Sequence, residues 1–136
     1  DSYHANPPSM AAALEVLAAS KPAKDAVRGI NGRRIAFLGD MKELGIDDVA
    51  LHAGLAHLEA MQSIHVIHCV GPLMKSLHAL LPDHKRGLWA QTSTEILEQI
   101  PRKIHSGDVV LAKGSLSMKL GLVVDAIRKM GHPEPD

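Results

Sequence analysis

Apolar positions recur along this chain at two spacings, and the two alternate in order. Met10, Leu14 and Leu17 stand at helical spacing and predict a helix with one inward stripe. Pro7 and Pro8 precede Ser9, a good N-cap, so that helix is expected to start at Ser9. Residues 20–32 contain Pro22, Gly29 and Gly32 and read as a loop. Residues 33–38 form a short aliphatic run closed by Gly39-Asp40, the signature of a strand. Leu51, Leu55 and Leu58 predict an amphipathic helix over residues 47–61. Residues 64–70 read as a second strand closed by Gly71-Pro72, and residues 73–81 as a helix closed by Pro82. Residues 87–91 make a weaker strand, followed by a helix over 94–104 with Ile96, Leu97 and Ile100 inward. Residues 108–112 make a fourth strand and lead into Lys113-Gly114-Ser115. Leu120, Val123, Ile127 and Met130 mark a last helix, and residues 131–136 are expected to fray.

One helix followed by four strand–helix units implies an α/β fold. Its sheet should be mainly parallel, flanked by helices on both faces, with right-handed crossovers. The 136 residues fit a single domain over positions 1–136. Only 2% of residues are aromatic, so the core must be built from Leu, Val, Ile, Ala and Met. Fifteen basic and fifteen acidic residues balance, so no net field steers the chain to nucleic acid or to a membrane surface. Base-stacking platforms also need aromatics, which argues again against a nucleic-acid partner. Cys69 is the only cysteine and lies in an apolar run, which excludes an internal disulfide and fits a reduced, cytoplasmic compartment. No apolar stretch approaches the roughly 20 residues of a membrane span. The first eight residues lack the basic and apolar regions of a secretory signal. The chain opens abruptly on a polar motif, as expected of a piece of something longer.

In an open parallel sheet, ligands bind beyond the carboxyl ends of the strands. Two polar motifs fall there: Gly39-Asp40-Met41-Lys42-Glu43-Leu44-Gly45 after the first strand and Lys113-Gly114-Ser115 after the last. The segment 1–9 leads into the first helix and can reach the same rim. Lys113-Gly114-Ser115 is no Walker A loop, because the order and the upstream glycine are wrong. A lysine beside a glycine at a strand end still suits an anion, and a turn with a solvated lysine is the alternative. Asp40 and Glu43 suit a cation, an ammonium or a ribose hydroxyl, or else a turn former with a solvated neighbour. Nine histidines raise the question of metal, but their spacing gives no site. His65 and His68 are three apart on a strand and should face opposite sides, while His52 and His57 miss the i, i+4 zinc spacing. His52 stands out because it follows the Asp40 loop. Neither a Gly-x-Ser-x-Gly elbow nor a Gly-x-Gly-x-x-Gly fingerprint is present, which disfavours a hydrolase nucleophile and an ordinary dinucleotide fold.

Three motifs in order resemble a known family. Asp1-Ser2-Tyr3-His4-Ala5-Asn6-Pro7-Pro8-Ser9-Met10 is similar to the Asp-x-Tyr-Asn-Ala-Asn-Pro-x-Ser-Met signature of the Mur ligase family. Residues 38–45 with the downstream His52 resemble its Leu-Gly-Asp-Met-x-Glu-Leu-Gly and histidine, and residues 107–115 its Gly-Asp-x-Val-Leu-Val-Lys-Gly-Ser. Ser117-Met118 and the final helix continue the likeness. The chain departs from the pattern at His4, Leu116 and Gly121, where Asn, Arg and Glu are common. The resemblance implies the Rossmann-like C-terminal domain of a three-domain, ATP-dependent amide ligase that joins D-alanyl-D-alanine to UDP-N-acetylmuramoyl-tripeptide in peptidoglycan precursor synthesis. It implies an acyl phosphate formed from ATP with Mg2+, which the central domain holds, and a C-terminal domain that closes to exclude water. The N-terminal and central domains would be this domain's own partners, with D-alanyl-D-alanine and ATP in the cleft between them. By the same resemblance Asp1 lies near the ATP ribose, and Tyr3, His4 and Asn6 near the nucleotide and dipeptide. Asp40, Met41 and Glu43 belong to a loop facing the central domain, and Lys113, Gly114 and Ser115 lie near the dipeptide. No catalytic residue and no metal ligand is assigned. Two other readings stay open: another Mur or folylpolyglutamate-type ligase, and a stand-alone α/β ligand-binding module.

Overall fold

The computed structural model describes residues 5–131. Helix α1 (Pro7–Ala19) begins at Asn6 rather than at Ser9. The Asn6 side chain accepts from the Ser9 amide at 2.9 Å, and the Ser9 hydroxyl accepts from the Asn6 amide at 3.0 Å. The two prolines therefore occupy the first helical positions, where a missing N–H costs nothing. Ser9 closes a capping box as its third helical residue, and the sequence reading placed the cap three residues late.

Four strands follow: β1 (Arg34–Gly39), β2 (Val66–Val70), β3 (Arg86–Ala90) and β4 (Val109–Lys113). All pair in parallel, in the order β3-β2-β1-β4. The expected α/β sheet with helices on both faces is what forms. Leu38, Ile67 and Cys69 face a layer that includes α1 and α3 (Lys75–Leu80), while Ile35, Phe37 and Val70 face the layer of α4 (Ile100–Lys103) and α5 (Gly121–Gly131). Strands buried on both sides need near-continuous apolar runs, which β1 and β2 supply.

Two helices depart from expectation. Over residues 47–61 the α-helix is only α2 (Asp48–Ala53), followed by tight 3-10 turns over Gly54–His57 and Glu59–Ser63 with Leu58 extended between them. Glycine in mid-helix costs about 1 kcal/mol against alanine, and the break lets both Leu55 and Met61 reach the core. Leu51, expected inward, is exposed, and His52 takes the buried position. Over residues 94–104 a 3-10 segment (Thr94–Gln99) precedes α4, because Pro101 lacks the N–H that a continuous helix would need. Ile96 and Ile100 are buried as expected and Leu97 packs against them.

Candidate functional site

The chain runs outward through β1, β2 and β3, then crosses back to lay β4 on the other side of β1. The order of strands therefore reverses between β1 and β4, and ligands in open α/β sheets bind beyond the strands' carboxyl ends at such a reversal. Both polar motifs leave the sheet at that place, since Leu38 pairs with Lys113 in the ladder.

The two loops are joined directly. The Ser115 amide donates to the Asp40 carbonyl at 2.9 Å. The Lys42 amide donates to the Ser115 hydroxyl at 2.8 Å. A side chain on Gly114 would put its Cβ 2.7 Å from the Gly39 Cα, so only glycine allows this approach.

Asp40 has no exposed surface. Its carboxylate accepts from the Leu73 amide at 3.1 Å and the Met74 amide at 2.8 Å, and Lys42 Nζ lies 3.7 Å away. These bonds hold the turn that opens α3. Gly71, at φ 113°, leaves the room that the Asp40 carboxylate fills, and Trp89 Nε1 ties the same turn by donating to the Gly71 carbonyl at 2.8 Å. Met41 is also fully buried, and its amide donates to His52 Nε2 at 2.8 Å. His52 Nδ1 lies 2.6 Å from the Asp48 carbonyl, so Nδ1 carries the proton and Nε2 accepts. His52 is thus a positioning residue for the loop.

What the loops present to solvent is different. Lys42 and Glu43 are exposed, and Glu43 adopts φ 61° ahead of Gly45 at φ 85°. Lys113 and Gly114 are half-buried and Ser115 nearly buried. A hollow of about 350 Å³ opens among Lys42, Pro72, Gln91, Thr92, Ser117 and Lys119. A second, of about 340 Å³, lies along Lys113, Gly114, Leu116, Lys119 and Leu120. Lys119, left-handed at φ 56°, borders both. The Ser93 hydroxyl donates to the Met118 carbonyl at 2.6 Å and pins the loop after β3 to the segment after β4. Two or three ammonium groups with neighbouring hydroxyls can hold carboxylate or phosphate oxygens.

The structure thus brings together the rim residues of positions 40–43 and 113–115. Asn6 stands at the head of α1 with its side-chain oxygen spent on the cap. Asp1, Tyr3 and His4 lie outside the described residues. Gln91, Thr92 and Lys119 were not singled out from sequence, and Lys42 and Ser117 stood inside quoted motifs without a role of their own. Their position just past a strand end is the signal that would have found them. Among the described residues no group of three His, Cys, Asp or Glu side chains is placed to hold a metal ion, and no helix is long and apolar enough to cross a membrane.

Residues 1–116 match the family model described as Mur ligase, glutamate ligase domain. The UDP-N-acetylmuramoyl-tripeptide–D-alanyl-D-alanine ligase of Buchnera aphidicola is 28% identical over 134 residues, 97% of this chain and 26% of that protein. The ligase of the same name from Escherichia coli is 31% identical, over 96% of this chain and 26% of its own length. Among solved structures, MurF from Acinetobacter baumannii superposes with a TM-score of 0.69 at 27% identity, covering 95% of this chain and 27% of that one. MurF from Thermotoga maritima, solved with ADP, shares the fold at the same TM-score and 22% identity. The chain spans about a quarter of the length of the relatives it matches.

Proposed function

The chain belongs to the Mur ligase family through its glutamate ligase domain, and on that premise we propose that it is the substrate-presenting domain of an ATP-dependent ligase. That ligase joins D-alanyl-D-alanine to UDP-N-acetylmuramoyl-tripeptide. The N-terminal and central domains lie elsewhere in the same protein and supply the sugar nucleotide site and the phosphate-binding loop. The reaction takes place in the cytoplasm.

The observation that carries this reading is the joined pair of loops at the strand reversal. The Ser115 amide and hydroxyl hold the backbone of Asp40 and Lys42, so the two loops form one rigid lip. Lys113 and Gly114 offer a cation and an unhindered backbone to the dipeptide, while Glu43 and Lys42 face the central domain across the closing cleft. Asn6, at the head of α1, lies on the nucleotide side. Closure of the lip excludes water from an activated carboxylate that water would otherwise hydrolyse. Asp40 and Met41 serve from inside, as the loop's internal frame. The magnesium ion that accompanies ATP belongs to the other domains. Asp40 does not fit as its ligand, because both carboxylate oxygens are committed to the amides of Leu73 and Met74.

The test is acceptor choice in the intact reading frame that contains this chain. ADP release should depend on D-alanyl-D-alanine and should drop about tenfold to a hundredfold in Lys113→Ala, the scale of losing one charge-assisted contact. The 136-residue chain alone should show no turnover. Turnover with free glutamate or diaminopimelate in place of the dipeptide, or turnover by the isolated chain, would refute the assignment.

A further inference from the structure

At the opposite end of the sheet from the rim lies a groove of about 480 Å³ that the ligase reading leaves unused. It is lined by Arg33, Arg34, His65, His84 and Lys85 with the backbone of residues 62–66, and no carboxylate lines it. In a chain whose charges balance overall, this is a local excess of cations.

The cations are held in place by carbonyl oxygens. Lys85 Nζ donates to the Ile64 carbonyl at 2.6 Å and the Gln62 carbonyl at 3.2 Å. Arg34 Nε donates to the Ser20 carbonyl at 2.9 Å, and its Nη1 to the Ser63 carbonyl at 3.4 Å. Arg33 Nη2 donates to the Lys103 carbonyl at 3.0 Å and to Asp108 at 3.2 Å. Each side chain keeps further donors: Arg33 Nε and Nη1, Arg34 Nη2, and one hydrogen of Lys85. The nearby carboxylates are spoken for, Asp108 by Arg33 and Asp83 by Arg86 at 2.7 Å. His65 adds a neutral donor. Its Nδ1 accepts from the Arg34 amide at 2.8 Å, so the ring proton sits on Nε2. Burial and then Arg34, Lys85 and Arg33 hold the His65 imidazole below its ordinary range.

We propose that this groove is a second binding site, for a phosphate-class dianion held by Arg33, Arg34, Lys85 and the Nε2–H of His65. Guanidinium forks match phosphate oxygens, and donors already fixed by carbonyls lose little freedom on binding. The volume exceeds a single halide and admits a pyrophosphate or a phosphorylated headgroup. The site is independent of the rim and of the ligase assignment, because none of its residues touches the joined loops.

The experiment follows the His65 imidazole of the full chain by NMR while inorganic pyrophosphate is added, with sodium chloride at matched ionic strength as control. A saturable shift is expected, together with a rise in the His65 titration midpoint, since a bound dianion offsets the three cations. Arg34→Gln and Lys85→Gln, each checked for an unchanged melting temperature, should each weaken binding about tenfold, the worth of one charge-assisted bond. Co-sedimentation with vesicles carrying anionic phospholipid identifies the source: vesicle binding lost in both variants assigns the site to a lipid headgroup, and pyrophosphate binding without vesicle binding assigns it to a free ligand. No saturable shift, or a shift equalled by chloride or kept in full by both variants, overturns the proposal.

Discussion

Lowering the pH from 7 to about 4 should cost the folded protein about 3 kcal/mol through one imidazole, that of His68. His68 is 2% exposed and stacks on Phe37 with ring centroids 4.6 Å apart. Its Nδ1 accepts from the Leu88 amide at 2.8 Å, and its Nε2 has no partner among the described residues. Burial, with Lys103, Arg33 and His78 adding like charge, lowers its pKa from 6.5 to about 4. At about 1.4 kcal/mol per pH unit, that gap is worth about 3 kcal/mol. Between those two values the unfolded chain takes up a proton that the folded chain refuses. Stability is therefore complete above 6.5, declines as the pH falls toward 4, and is flat below it as far as this group is concerned. The perturbation is His68→Asn, whose Oδ1 can accept from Leu88 and does not titrate. Urea unfolding of both proteins across this range isolates the effect, because every other titrating group, His65 included, cancels in the difference. Parallel stability curves for the two proteins would refute the reasoning. So would a His68 ring-proton titration centred near the ordinary histidine value.

Three further outcomes are expected. Asp40→Ala leaves the amides of Leu73 and Met74 buried without acceptors, and chemical denaturation should record a loss of about 2–5 kcal/mol. Asn6→Ala removes the cap of α1 and should cost about 1 kcal/mol, seen as a lower melting temperature, whereas Asn6→Asp should keep most of it. Cys69 is buried beside Asp40, which together push its thiol up to about 12. It should resist a disulfide reagent at pH 8 in the native protein and react at once in denaturant, and rapid native labelling would contradict the packing described.

Three of the four strands were plainly legible because each ends in its own punctuation: Gly39-Asp40, Gly71-Pro72 and Lys113-Gly114. The rim was legible for the same reason, since parallel strands send all their carboxyl ends to one side. The division of labour inside the motif was not. Asp40 and Glu43 look alike as loop carboxylates, yet Asp40 turns inward because the Leu73 and Met74 amides await it 33 and 34 positions later. Leu51 and His52 exchange their expected places for a similar reason. The Met41 amide needs an acceptor in the core, and a buried imidazole with its own partner supplies one more cheaply than an unpaired N–H would allow. Helical periodicity cannot register such demands, nor the Pro101 effect that turns part of residues 94–104 into a 3-10 segment. His68 was unremarkable as one histidine of nine, and its burial and its stacking on Phe37 set it apart only in the fold.

The bonds from Ser115 to Asp40 and Lys42 span 73 to 75 positions of chain. During synthesis, β1, β2 and β3 can pair in the order they emerge, but the lip has no existence until β4 has arrived and docked on β1. Long-range pairing of this kind is the late, slow part of folding. A nascent or partly unfolded copy therefore presents no lip, and the joined loops double as a proof that the whole sheet has been assembled.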